Sequence, residues 1–380
     1  MKKKIMNFIK KETVLVVATI LAIASAFIVK PSKAYFDYID WRVLGILLSL
    51  MIVMAGLQRN GLFDTIGAAL LKKTKNTMQL SMVLVLLCFF FSMLITNDVS
   101  LITFVPFAML TMKKCGQEKL LLPVVILQTI AANLGSMLTP IGNPQNLYLY
   151  NLSGMGMGEF LSCMLPYTLI SGVLILGSVI WIARKKEKIQ VSVIESEKEK
   201  TSSTNLKWKT YHKNVVYITL FFLSLLVVVR VLPYYMVLLL ILLLVFTMDR
   251  AVLKQVDYCL LLTFISFFIF TGNMGNITAI NGALQELVAG RELFTGIVTS
   301  QVISNVPAAL LLSGFTSDYK ALLCGVNIGG LGTLIASMAS LISYKIYAQT
   351  YNEKKGAYFR WFTAVNIVFL VVLVSAAVLL

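Results

Sequence analysis

One carboxylate stands out against its surroundings. Asp98 lies in ITNDVSLITFVP (95–106), within a stretch apolar enough for lipid. A charged side chain at bilayer depth costs at least ~2.5 kcal/mol by insertion scales, and such residues mark ion and proton pathways. Asp98 therefore either ligates Na⁺ or carries a proton. The other reading is structural: Asp is a favoured N-cap, so it would start the following helix. A second run, TPIGNPQN (139–146), puts two prolines, a glycine and two asparagines into another apolar region. Non-helical chain at that depth must line a polar cavity or be buried in protein, because bare N–H and C=O groups are not tolerated in lipid. A helix broken there presents a half-helix N-terminus, which attracts anions, while carbonyl, Asn, Ser and Thr oxygens suit Na⁺. The run is read as half of a binding site near the membrane midplane.

The rest of the chain is what must hold these residues. Of 380 residues, 58% are hydrophobic and 13% charged, and mean hydropathy is +0.84. A soluble domain carries roughly 25% charged residues, and apolar runs long enough for a ~30 Å hydrocarbon core recur from end to end. The fold class is an all-α polytopic membrane protein. The net charge of +16 does not indicate nucleic acid, since the Lys and Arg residues sit in short loops, as the positive-inside rule leaves them. Lys2, Lys3, Lys4, Lys10 and Lys11 place the N-terminus in the cytoplasm, and the apolar run after them is read as a first helix rather than a cleaved signal. The linker 184–213 carries nine Lys/Arg against four Glu and is cytoplasmic. The five cysteines form no CxxC pair and are read as packing residues. The only histidine, His212, lies in a basic loop, and no GxxxxGK[ST] occurs. Neither a His-based metal site, nor ATP hydrolysis, nor a membrane enzyme with clustered acid–base groups is encoded. Arg230 is expected to snorkel to the outer interface, and Arg291 with Glu292 to form a surface pair.

The organisation repeats. NLGSMLTPIGNPQNLYLY (133–150) aligns without a gap on NIGGLGTLIASMASLISY (327–344), with six identities that include Asn133/Asn327, Gly135/Gly329 and Thr139/Thr333. Upstream of each lies a hairpin, 78–112 with Thr96-Asn97-Asp98 at its tip and 293–316 with Ser304-Asn305 at its tip. The arms of the second are too short to cross a ~30 Å core, so it enters and leaves by one side. Lysines flank the first at both ends. Residues 1–183 form a first repeat with broken helix 120–150. Residues 214–380 form a second, with broken helix 320–347 and a final helix 358–380. From a cytoplasmic N-terminus the first hairpin opens inward and the second outward, giving two inverted-topology repeats of about nine spans plus two re-entrant hairpins, an architecture of secondary transporters.

The runs ITNDVSLITFVP, ANLGSMLTPIGNPQNL (132–147), SNVPAALLL (304–312) and GVNIGGLGTLIAS (325–337) resemble the ion transporter superfamily. That group holds divalent anion/sodium symporters, citrate transporters, arsenical pump membrane subunits and some sodium/proton antiporters. The resemblance covers nearly the whole chain. It implies an elevator-type motion, often in a homodimer. It implies a site lined by Thr96, Asn97, Ser304 and Asn305 at the tips, Ser136, Thr139, Gly142 and Asn143 in the first broken helix, and Thr333 and Ser337 in the second. Na⁺ is expected at Asn97, Asp98, Gly142 and Asn143. The sodium-coupled dicarboxylate members carry Ser-Asn-Thr in both hairpins and both broken helices. Here the tips read Thr-Asn-Asp and Ser-Asn-Val, and the arsenical pump branch also has Asn-Asp at the first tip. The expected function is secondary transport of a small anion, a di- or tricarboxylate, across the plasma (inner) membrane, coupled to Na⁺ or H⁺ without other cofactors. Arsenite or oxyanion efflux, with an ATPase partner under that reading alone, and Na⁺/H⁺ antiport are the alternatives. A passive channel is a further class, separated by large uncoupled currents.

Overall fold

The computed structural model describes residues 12–189 and 204–380. The N-terminal lysines Lys2–Lys11 and positions 190–203 of the linker lie outside the described residues. Among the described residues every long element is an α-helix and no strand forms. Among the described residues six helices are long and apolar enough to cross a membrane, from Trp41–Arg59 to Asn352–Leu379. An α-helix satisfies its own backbone, which is what lipid demands. Starts are fixed by short polar side chains. Asp40 accepts from the Val43 N–H, Asn76 from Gln79, Asp257 from Leu260 and Asp318 from Ala321, each satisfying an N–H that has no partner within its helix.

The helices sort into two packing groups. Thr13–Ile28, Trp41–Arg59, Thr204–Val228, Tyr234–Met248 and Tyr258–Gly275 pack on one another. The second group holds the two hairpins, the two interrupted helices, Met157–Ile182 and Lys355–Leu379. Two short helices with one apolar face, Leu62–Leu71 and Thr278–Val288, run between the groups, each just ahead of a hairpin. The second matches an amphipathic stretch in the sequence. The first, LFDTIGAALL, carries the same one-sided pattern just ahead of the lysines of KKTK.

The first hairpin is Thr77–Phe91 and Asn97–Lys114, and the second is Glu292–Ile303 and Asn305–Leu312, turning on Ser304 alone. The first interrupted helix is Leu121–Ser136 and Pro144–Ser153; the second is Tyr319–Ile328 and Met338–Thr350. Each hairpin's first arm lies directly on the first half of the interrupted helix after it, and glycine permits the approach. A Cβ on Gly135 would strike the Phe89 carbonyl, and one on Gly329 would come within 2.9 Å of the Ile297 Cα. Phe89 and Ile297 are equivalent when the hairpin tips are aligned. Gly135→Leu and Gly329→Leu are each expected to cost at least about 1–3 kcal/mol through overpacking. Yield of monodisperse protein on gel filtration measures this; wild-type yield from either variant would contradict the packing.

One expectation is corrected, and two further contacts emerge. Glu292 is buried rather than paired with Arg291 at the surface, and its Oε1 accepts from the Gly290 N–H at 3.1 Å and Thr316 Oγ1 at 2.9 Å. Arg230, with φ 65°, donates to the carbonyls of Gly154 at 2.9 Å and Tyr150 at 3.1 Å. It caps the C-terminal end of Pro144–Ser153 from the other packing group, as basic side chains do at carbonyl ends. Cys163 and Cys324, far apart in sequence, bring their sulfurs to 3.6 Å as free thiols.

Candidate functional site

Four helix starts converge at the centre of the second packing group. They are Asn97 and Asn305 at the hairpin tips and Pro144 and Met338 in the interrupted helices. Backbone bonds fasten each tip to its loop in the same way. The Asn97 N–H donates to the Gly142 carbonyl at 3.0 Å, and the Asn305 N–H to the equivalent Ala336 carbonyl at 2.9 Å. The Asn97 side-chain oxygen takes the Asp98 N–H at 2.9 Å, and that of Asn305 takes the Val306 N–H at 3.0 Å. Gly142 has no room for a side chain, because a Cβ there would meet the Ser136 carbonyl.

The two interrupted helices then exchange hydrogen bonds reciprocally. Asn133 Oδ1 accepts from Ser337 Oγ at 3.0 Å, and Asn133 Nδ2 donates to Ser340 Oγ at 3.2 Å. The equivalent Asn327 accepts at Oδ1 from Asn143 Nδ2 at 3.2 Å and donates to Asn146 Oδ1 at 2.6 Å. Asn143 aligns with Ser337, and Asn146 with Ser340. Asn133 Oδ1 also takes Asn97 Nδ2 at 3.1 Å, which ties the first tip into the cross. All these side chains are buried. A buried polar network is costly unless its members are satisfied, and here each amide has two or more partners.

The expected site residues are distributed unevenly. Asn97, Asn143, Ser136, Ser337 and Asn305 lie in or beside this network. Ser136 Oγ accepts from Asn143 Nδ2 at 3.1 Å and donates to the Asn133 carbonyl. Thr139 and Thr333 instead turn away to equivalent hairpin carbonyls, Met93 and Gln301; they hold the loops to the hairpins. Ser304 carries the second tip at φ 76°, ψ 155°, a region populated almost only by glycine and costing about 1–3 kcal/mol. Its counterpart Thr96, at φ −59°, is relaxed. Ser304→Gly is expected to raise stability by roughly 1 kcal/mol. A thermal midpoint at or below wild type would contradict stored strain at this tip.

Asp98 does not cap its helix. The cap position is Thr96, and the Asn97 side chain has taken the Asp98 N–H. Among the described residues the half-buried Asp98 carboxylate makes no hydrogen bond or ion pair. It faces a cavity of about 170 Å³ shared with Thr96, Asn143, Gln58 and Asp257. A second cavity of about 220 Å³ lies against Ser304 and Val306 and also includes Asp257, with Lys345 and Glu12. Asp257, Leu260 and Ile342 wall both, so the two tips open onto adjoining cavities. Thr96, Asp98 and Asn143 thus meet in one cavity, and Ser304 in its neighbour.

Sequence reasoning passed over four residues that matter here. Asn133 and Asn327 were visible as a repeat identity, and a buried amide at the same place in both halves was the signal. Asp257 sits at a helix start that looks like ordinary capping. Gln145, inside TPIGNPQN, is fully buried and its amide oxygen and nitrogen have no protein partner among the described residues. Such an atom in a native fold calls for a water or ligand.

The citrate transporter family matches residues 5–318. An uncharacterized transporter of Methanocaldococcus jannaschii is 33% identical over 353 residues, covering 92% of each chain. The inner membrane protein YbiR of Escherichia coli is 30% identical over 333 residues, 85% of this chain and 84% of its own. A shorter match of 140 residues, 30% identical, links 37% of this chain to 28% of the silicon efflux transporter LSI3 of Oryza sativa subsp. japonica. From the extent of the family match and of the first two relatives, the chain belongs to the citrate transporter family and is an integral membrane transporter, not an enzyme.

Proposed function

We propose that this protein is a secondary active transporter of a small anion, a di- or tricarboxylate, coupled to H⁺ or Na⁺ through Asp98. The observation that carries the reading is the convergence of four helix starts on one buried amide cross. Each start contributes partial positive charge and N–H donors, so the centre suits carboxylates without a buried Arg. Gln145, at the first turn of one of these half-helices, supplies a further free donor and acceptor. Asp98 and Asp257 face the adjoining cavity, where a multivalent anion alone would be repelled. A bound cation or proton at Asp98 removes that repulsion, which is a physical basis for coupling. The Na⁺ ligands in this reading are the Asp98 carboxylate and the Gly142 carbonyl, with Asn97 and Asn143 positioning them.

The reciprocal bonds of Asn133 to Ser337 and Ser340, and of Asn327 to Asn143 and Asn146, support two inverted repeats about a pseudo-two-fold axis, with hairpins that open to opposite sides. The division into two packing groups, bridged by Leu62–Leu71 and Thr278–Val288, supports an elevator motion of the second group past the first. We place the protein in the plasma (inner) membrane with its N-terminus inside, as a homodimer. Asn151 Nδ2 donates to Asp40 Oδ2 at 2.9 Å across the two groups. Cysteines at 40 and 151, in a background lacking the native five, are expected to cross-link and to abolish citrate uptake into proteoliposomes until reduced. Full uptake by the cross-linked protein would contradict relative motion of the groups.

A further inference from the structure

A cavity of about 550 Å³ is remote from the amide cross. It lies between the start of Leu121–Ser136, the end of Met157–Ile182 and the first turns of Lys355–Leu379. One end is basic, formed by Lys119, Arg184 and Lys185, and the rest is aliphatic, with Trp181 and Trp361 alongside. From Lys119 to Ile126 the apolar wall follows a helix for ~10 Å. The two indoles are 64% and 55% exposed, as expected for side chains at the level of lipid headgroups. Among the described residues none of the three cations forms an ion pair. Glu118, adjacent to Lys119, is exposed and does not line the cavity.

We propose that this groove is a binding site for an anionic glycerophospholipid. The phosphate is held by Lys119, Arg184 and Lys185, and an acyl chain lies along the wall of Leu122, Ile126 and Val365. Charge complementarity selects this occupant. Among the described residues the charged lining is uniformly cationic, whereas a zwitterionic lipid would gain little from it, and basic pockets between transmembrane helices are a recurrent mode of anionic headgroup recognition. The lipid would brace the helix that carries Asn133 against the two helices behind it.

The test is native mass spectrometry of the full chain, delipidated in detergent and titrated with phosphatidylglycerol or phosphatidylcholine. Wild type is expected to retain the anionic lipid roughly tenfold or more in preference. The variant Lys119→Gln/Arg184→Gln/Lys185→Gln is expected to lose that preference while binding phosphatidylcholine as before. Lys72→Gln/Lys73→Gln, which removes two exposed lysines elsewhere, is expected to keep it. The arginine variant Lys119→Arg/Lys185→Arg is expected to keep it too, which separates charge from folding. Equal preference in wild type and the triple variant would overturn the proposal. So would a triple variant that changes only the oligomeric state, since that would assign the groove to a second copy of the chain.

Discussion

Asp98→Asn is expected to lower coupled substrate uptake by about 100-fold, equivalent to about 2.8 kcal/mol of lost ion-binding free energy, while leaving the fold intact. The carboxylate has no protein partner among the described residues to lose. The amide is nearly the same size, so it keeps the shape of the cavity shared with Thr96 and Asn143. The form of the defect identifies the ion. If Asp98 carries a proton, the Asn variant imitates the protonated state permanently; substrate exchange persists while net uptake and its pH dependence vanish. If Asp98 ligates Na⁺, stimulation by Na⁺ disappears from both. Asp257→Asn has a smaller effect, because Asp257 is exposed and already accepts the Leu260 N–H. Proteoliposome uptake and counterflow under separate pH and Na⁺ gradients measure both variants. Wild-type coupling in Asp98→Asn would remove Asp98 from the mechanism.

The second large effect concerns the amide cross. Asn133→Ala leaves Asn97 Nδ2 and Ser337 Oγ without their acceptor and Ser340 Oγ without its donor. Orphaned buried polar groups cost about 1–3 kcal/mol each, so a loss on the order of 3 kcal/mol is expected. Asn327→Ala removes one of the two acceptors of Asn143 Nδ2 and orphans Asn146 Oδ1 in the equivalent places, and a loss of similar order is expected. Both variants should also abolish transport, because both release helix starts that the cross holds together. Thermal unfolding by intrinsic fluorescence, with uptake on the same preparations, gives the comparison. A severe loss in one variant beside a silent other would contradict the equivalence of the two halves.

Much of this arrangement is written in local chemistry. Breaks at TPIGNPQN and at Ser304 follow from residues that favour turns and caps, and the apolar runs around them have no other place than lipid. The match of 133–150 with 327–344 was enough to pair Gly135 with Gly329, and the structure gives both the same task against a hairpin backbone. What the chain order conceals is which polar groups satisfy one another. Thr139 and Thr333 look like ligands because they sit in the loops, yet their hydroxyls are committed to Met93 and Gln301. Asn133 and Asn327 look like packing residues because they sit within apolar helices, yet they join the halves. Arg230 has the composition of an interface anchor, and only the fold brings it to the end of Pro144–Ser153. These are contacts between residues more than 30 positions apart, and hydrophobic periodicity does not encode them.

The central claim is that the four converging helix starts form an anion site whose occupancy depends on a cation or proton. The most direct measurement is the melting temperature of the purified protein against a panel of anions, in NaCl and in KCl, at two pH values. A ligand that binds the folded state stabilises it by mass action, by about 2.7 kcal/mol at a hundred times its dissociation constant. The account predicts that a di- or tricarboxylate raises the melting temperature of the wild type under one cation or pH condition, that it does not do so in Asn133→Ala, and that in Asp98→Asn the dependence on that cation or pH is lost. Stabilisation by arsenite, or by Na⁺ or pH with no carboxylate effect, would contradict it.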